Sequence, residues 1–214
     1  MTARVKFCGL TNLIDAEAAV AAGASFVGVV FAGGPRLVTV GAARTLLATM
    51  GDAALRVGVF GTDGVSHVAE TARAAGLDVV QLHGDPRPSD VVAMRAQFSG
   101  KIWAAARVDG SLLPEWTEGL FREADAVLLD AHVAGRLGGS GRTLDWSGIR
   151  RSLDDLRGDT PLVLAGGLTP ANVAQAIAII APDIVDVSSG IEREPGMKDH
   201  ELMRAFVRAV REVE

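Results

Sequence analysis

Hydrophobic and polar positions fall along this chain in blocks of two kinds. Short, nearly unbroken apolar runs occupy Val5–Cys8, Phe26–Phe31, Arg56–Phe60, Val79–Leu82, Ile102–Ala106, Ala126–Asp130, Leu162–Ala165 and Ile184–Val187. Between them lie longer stretches of helical patterning, at Ile14–Ala22, Ala42–Thr49, Ser66–Ala75, Ser89–Gln97, Leu113–Arg122, Trp146–Leu153, Pro170–Ile180 and Asp199–Arg211. Strands that are apolar throughout are buried on both faces, and strand–helix alternation places them in a parallel sheet covered by helices.

Helix ends carry their own signals. Gly23 and Gly76 stand where a left-handed residue closes a helix. Ser66 and Ser89 are expected to cap their helices, and Thr169 with Pro170 to open the seventh. Eight repeats in one undivided chain predict an α/β fold, a (β/α)8 TIM barrel forming a single domain over residues 1–214, at a lean ~26 residues per unit. The rival is a doubly wound open sheet, which carries a glycine-rich fingerprint after its first strand. Cys8-Gly9-Leu10-Thr11 is no such fingerprint.

In a barrel, chemistry gathers where the strands end. Cys8, Phe31, His83, Arg107, Asp130, Gly166 and Ser188 all lie at or just past predicted strand ends. Cys8 is the only cysteine. A thiol and a carboxyl at two strand tips suit a base and an acid that move protons on a small molecule. Lys6 lies two residues before Cys8, so the two side chains leave the strand on one face. It either supports a thiolate, pairs with Asp186, or serves the barrel interior alone. His83 either meets substrate or is a satisfied core histidine. His67 and His200 read as superficial.

Glycines follow the last two strands, the pair Gly166-Gly167 after the seventh and, after Ser188-Ser189, Gly190 beyond the eighth. Loops after strands seven and eight of such barrels commonly bind phosphate through backbone amides. A third glycine-rich stretch, 135–142, is either a loop that folds over substrate or a connector.

The net charge of −5 is mild, and no basic cluster interleaved with aromatics suggests nucleic-acid binding. The three lysines are scattered in sequence. No apolar stretch approaches the ~18 residues of a membrane span. Scattered histidines give no metal-ligand spacing. A lone cysteine and the absence of a leader-like segment at Met1-Thr2-Ala3-Arg4 lead us to expect a cytoplasmic protein.

Seven short motifs, in order and in register, then stand out: Val5-Lys6-Phe7-Cys8-Gly9-Leu10-Thr11, Pro35-Arg36, Gln81-Leu82-His83-Gly84, Leu128-Leu129-Asp130, Gly138-Gly139-Ser140-Gly141 with Asp145-Trp146, Ala165-Gly166-Gly167-Leu168 and Asp186-Val187-Ser188-Ser189-Gly190. With their spacing from Val5 to Lys198, the chain resembles the phosphoribosylanthranilate isomerases. The resemblance implies an Amadori rearrangement of N-(5-phosphoribosyl)anthranilate in tryptophan biosynthesis, with no cofactor. It implies Cys8 as general base and Asp130 as general acid. Arg36 would contact the anthranilate carboxylate, Asp186 would lie near the sugar hydroxyls, and Gly139, Gly166, Gly167 and Gly190 would bind phosphate. His83, Ser140 and Ser189 complete the expected substrate-binding set.

The chain departs from the family at Gly34, where serine is usual, at Ser140, where threonine is common, and at Leu144, where phenylalanine is common. The expected partner is a phosphorylated small molecule, with no nucleic acid and no membrane, in a homodimer or a monomer. The alternatives are a histidine-pathway aldose–ketose isomerase, from which Cys8 is the discriminator, and a non-catalytic barrel that binds a phosphorylated ligand.

Overall fold

A computed structural model describes residues 2–131, 145–153 and 156–213. Eight parallel strands close into a barrel in sequence order, β1-β2-β3-β4-β5-β6-β7-β8, with β8 pairing back onto β1. The strands are β1 (Arg4–Phe7), β2 (Phe26–Val30), β3 (Leu55–Phe60), β4 (Val79–Leu82), β5 (Lys101–Val108), β6 (Ala126–Ala131), β7 (Leu162–Leu164) and β8 (Ile184–Val187). The helices between and after them are α1 (Leu13–Ala22), α2 (Val40–Ala48), α3 (Val65–Ala75), α4 (Pro88–Arg95), α5 (Thr117–Glu123), α6 (Trp146–Leu153), α7 (Val173–Ile180) and α8 (His200–Arg211). The expected barrel is the observed one.

Two apolar layers hold it. Inside the barrel, Phe26, Val57, Val79, Trp103, Leu128, Val163 and Ile184 pack together, with Phe26 and Trp103 edge to face at 4.9 Å. Between strands and helices lies a larger layer that includes Phe7, Leu46, Met94, Leu120, Ile180 and Phe206. Both layers are apolar because a parallel strand has no solvent-facing side.

Several expected helix starts are corrected. Ser66 and Ser89 lie inside their helices, and the residues preceding the helices are Gly64 and Arg87. At α4 it is Asp90 that accepts from the Arg87 backbone N–H, at 2.7 Å, with Pro88 in the first turn. The seventh helix begins at Val173 rather than Pro170. Asn172 turns back instead, accepting from the Thr169 N–H at 2.8 Å and donating to the Gly167 carbonyl at 2.9 Å. It secures the loop after β7, and the residues before it are spent in that loop. Gly23 and Gly76 do close α1 and α3 in left-handed conformations.

Patterning overlooked one element. After a short 3-10 turn at Ser189–Ile191, strands β9 (Glu192–Glu194) and β10 (Met197–Lys198) form an antiparallel hairpin. It is too short and too charged to show as an apolar run. Among the described residues, no helix is long and apolar enough to cross a membrane.

Candidate active site

The strand ends open onto one cavity of about 650 Å³. Cys8, Arg36, His83, Asp130, Gly166, Gly167, Asp186, Ser189 and Gly190 all line it, so the strand tips that lie far apart in sequence converge. Gly139, Ser140, His132, Leu144 and the glycine-rich stretch 135–142 fall outside the described residues.

Register explains the first contact. Lys6 on β1 is paired with Asp186 on β8, and neighbouring residues on parallel strands send their side chains the same way. Lys6 Nζ lies 2.8 Å from Asp186 Oδ2 and 3.0 Å from Gln81 Oε1, entirely buried. Among the described residues, Asp186 Oδ1 has no hydrogen-bond partner. Burial pulls the Lys6 ammonium down, but Asp186 and then Cys8 outweigh it, and the group stays above its ordinary value.

The polarity of this contact runs onward to the acid. An ammonium has only donors, so Gln81 must face it with its carbonyl oxygen and turn its NH2 toward His83. Gln81 Nε2 lies 3.1 Å from His83 Nδ1. His83 therefore accepts at Nδ1 and carries its ring proton on Nε2, which stands 3.2 Å from Asp130 Oδ2. The histidine is buried and partnered, and it touches the carboxyl expected to act as the acid.

Cys8 follows β1 and donates its backbone N–H to the Val187 carbonyl at 2.9 Å. Its thiol is buried. Lys6 and Lys198 give it a positive neighbourhood. Burial nonetheless dominates and, aided by Asp186, pushes the thiol up despite both lysines.

Lys198, one of the three lysines scattered in the sequence, comes into contact with Glu192 in the fold. The hairpin returns it to Ser188, which lines the cavity: Lys198 is wholly buried, with Nζ 2.7 Å from Glu192 Oε1 and 3.2 Å from the Ser188 carbonyl. Burial lowers the Lys198 pKa in spite of Glu192. Glu192 also takes Arg36 side-on, through Nε at 2.8 Å and Nη2 at 2.7 Å. Burial would raise the Glu192 carboxyl, but the Arg36 and Lys198 contacts hold it below the usual carboxylate value. Arg36 is thus a fixed group with 16% of its side chain exposed, not a free arginine in a turn.

The phosphate-type loops are shaped by close approach. A Cβ on Gly190 would lie 1.9 Å from the Leu168 carbonyl oxygen, so the loops after β7 and β8 meet only because this residue is glycine. Gly166 and Gly167 both have positive φ, 88° and 64°, which a side chain disfavours. His200 is not superficial: its Nε2 meets buried Asp15 at 2.8 Å, at the base of the hairpin. Among the described residues, no group of three or more His, Cys, Asp or Glu is placed to hold a metal ion.

A family model described as N-(5'-phosphoribosyl)anthranilate (PRA) isomerase matches residues 5–209. The chain belongs to the PRA isomerase family. A curated PRA isomerase of Pseudomonas syringae pv. tomato is 42% identical over 216 residues, covering 97% of each chain. The crystal structure of the Thermus thermophilus PRA isomerase superposes with a TM-score of 0.87 at 33% identity, over 99% of this chain and 100% of that one. A PRA isomerase solved with reduced 1-(o-carboxyphenylamino)-1-deoxyribulose 5-phosphate gives a TM-score of 0.82 at 32% identity, over 98% of this chain and 99% of that one.

Sequence reasoning had reached the PRA isomerase family from short motifs, and it missed three polar residues around the site. Gln81 stood inside a quoted motif, and its position two residues before His83 was the available signal. Glu192 and Lys198 gave none, because only the hairpin register brings them together.

Proposed function

We propose that the protein isomerises N-(5'-phosphoribosyl)anthranilate to 1-(2-carboxyphenylamino)-1-deoxyribulose 5-phosphate, with Asp130 as acid and Cys8 as base. The activity follows from family membership, and it makes the chain an aldose–ketose isomerase of tryptophan biosynthesis. The observation that carries the residue roles is that Cys8 and Asp130 line one cavity with Arg36 and the glycine loops.

Asp130 gives its proton to the furanose ring oxygen. The C1–O bond breaks, and the nitrogen lone pair forms the C1=N bond of an iminium cation. Cys8, as thiolate, takes the proton from C2, and that electron pair becomes the C1=C2 bond of an enolamine. Its C2 hydroxyl loses a proton while C1 gains one, which yields the ketone. His83 Nε2–H beside Asp130 Oδ2 supports the carboxylate left after the first step. Lys6 and Lys198 favour the thiolate needed for the second.

Gly166, Gly167, Ser189 and Gly190 bind the phosphate, joined by Gly139 and Ser140. Asp186 Oδ1, buried and unpartnered, suits a sugar hydroxyl. Arg36 takes the anthranilate carboxylate. The lone free thiol suits a reducing cytoplasm.

Acid and base catalysis each contribute ~10²–10⁴-fold, so Cys8→Ala and Asp130→Ala should each lower kcat at least about a hundredfold with KM little changed. Turnover within a few-fold of the parent for either variant removes that residue from the mechanism. Arg36→Ala should act mainly on KM, and a fall in kcat alone would overturn its assignment.

A further inference from the structure

Three charged side chains meet at Arg36, which lines the cavity, with Glu192 and then Lys198 in contact behind it. Glu192 occupies the Nε and Nη2 edge of Arg36. A guanidinium carries five N–H donors in a planar fork, so side-on pairing leaves the Nη1–Nη2 end for a second carboxylate. Arg36 and Glu192 alone would form a neutral pair with no net pull on an anion. Lys198 changes that sum. Its ammonium lies 2.7 Å from Glu192 Oε1, and two cations against one anion leave a net charge of +1.

The hairpin builds this arrangement. Lys198 and Glu192 are cross-strand partners on β10 and β9, so their side chains share one face. Gly196, in the turn, donates its backbone N–H to the same Glu192 oxygen at 3.3 Å. Lys198 is wholly buried, which removes the solvent that would otherwise screen its charge.

We propose that Lys198 is the specificity-determining residue of the carboxylate subsite: by neutralising Glu192 it frees the charge of Arg36 for the ortho-carboxylate of the ligand. Glu192 then serves to aim the guanidinium, and Lys198 to keep the aimed group cationic toward the cavity. The inference rests on the reading that Arg36 receives the anthranilate carboxylate. Because Lys198 also acts on Cys8, turnover would mix two effects, and equilibrium binding is the cleaner readout.

The test uses two unreactive probes in titration calorimetry. One is reduced 1-(o-carboxyphenylamino)-1-deoxyribulose 5-phosphate, and the other is the same compound without the ortho-carboxylate. Lys198→Met should weaken the first at least about tenfold and leave the second within about threefold. The double variant Glu192→Gln/Lys198→Met restores the +1 count and should recover most of that loss. Equal weakening of both probes, or a double variant no better than the single one, would overturn the proposal. Should Lys198→Met fail to fold, Lys198→Gln takes its place in the same two-probe comparison: selective weakening of the carboxylate probe is expected, and equal weakening of both probes or none refutes the idea. Arg36→Ala separates this outcome from the underlying reading, because loss of discrimination between the probes is expected there whatever Lys198 does.

Discussion

At the scale of single residues, environment decides chemistry more than residue type does. Cys8 has two lysines within electrostatic reach and its pKa is still pushed up, because burial of the thiolate costs more than they return. As the chain has one cysteine, its titration can be read without ambiguity. Alkylation by iodoacetamide should rise about tenfold per pH unit through neutrality, with a midpoint above the ordinary thiol value of ~8.5. A midpoint below that value would show that the lysines prevail. His83 illustrates the same rule. Its sequence position was compatible with substrate contact or with a core role, and the donor-only ammonium of Lys6, acting through Gln81, places its ring proton toward Asp130. The residue types were visible in the sequence, but the order of donors and acceptors was not, because it passes between strands β1 and β4.

At the scale of elements, the apolar strands and patterned helices were legible because burial on both faces leaves a plain mark on composition. The β9–β10 hairpin was not. Its five residues are mostly polar, and their pairing is antiparallel in an otherwise parallel fold. The start of the seventh helix was not legible because the residues before it are held in a turn by Asn172. Loop contact after β7 and β8 depends on a missing atom. Gly190→Ala would press a methyl group against the Leu168 carbonyl and force the two loops apart. The expected result is a rise in KM of at least about tenfold with a folded protein, since each loop contributes amides to one anion. Unchanged KM with this substitution would separate the loop contact from phosphate binding.

At the scale of the whole molecule, closure of the barrel joins the first strand to the last and brings the C-terminal helix against the N-terminus. Phe206 on α8 packs edge to face on Phe7 of β1, with ring centroids 6.3 Å apart, and both are fully buried. Phe206→Ala should cost about 3–5 kcal/mol in urea unfolding, which for a domain of this size lowers Tm by about 2–4 °C per kcal/mol. A loss under about 1 kcal/mol would mean that α8 contributes little to closure. By itself the sequence determined eight strand–helix units, the strand tips that bear reactive groups and the family to which they belong, because burial period and short motifs are local properties. Only the tertiary structure decided that Lys6 faces Asp186, that Lys198 joins Glu192 and Arg36, and that burial outweighs the lysines around Cys8. Those outcomes depend on register between strands remote in the chain and on the dielectric of a closed interior, and neither is encoded at any one position.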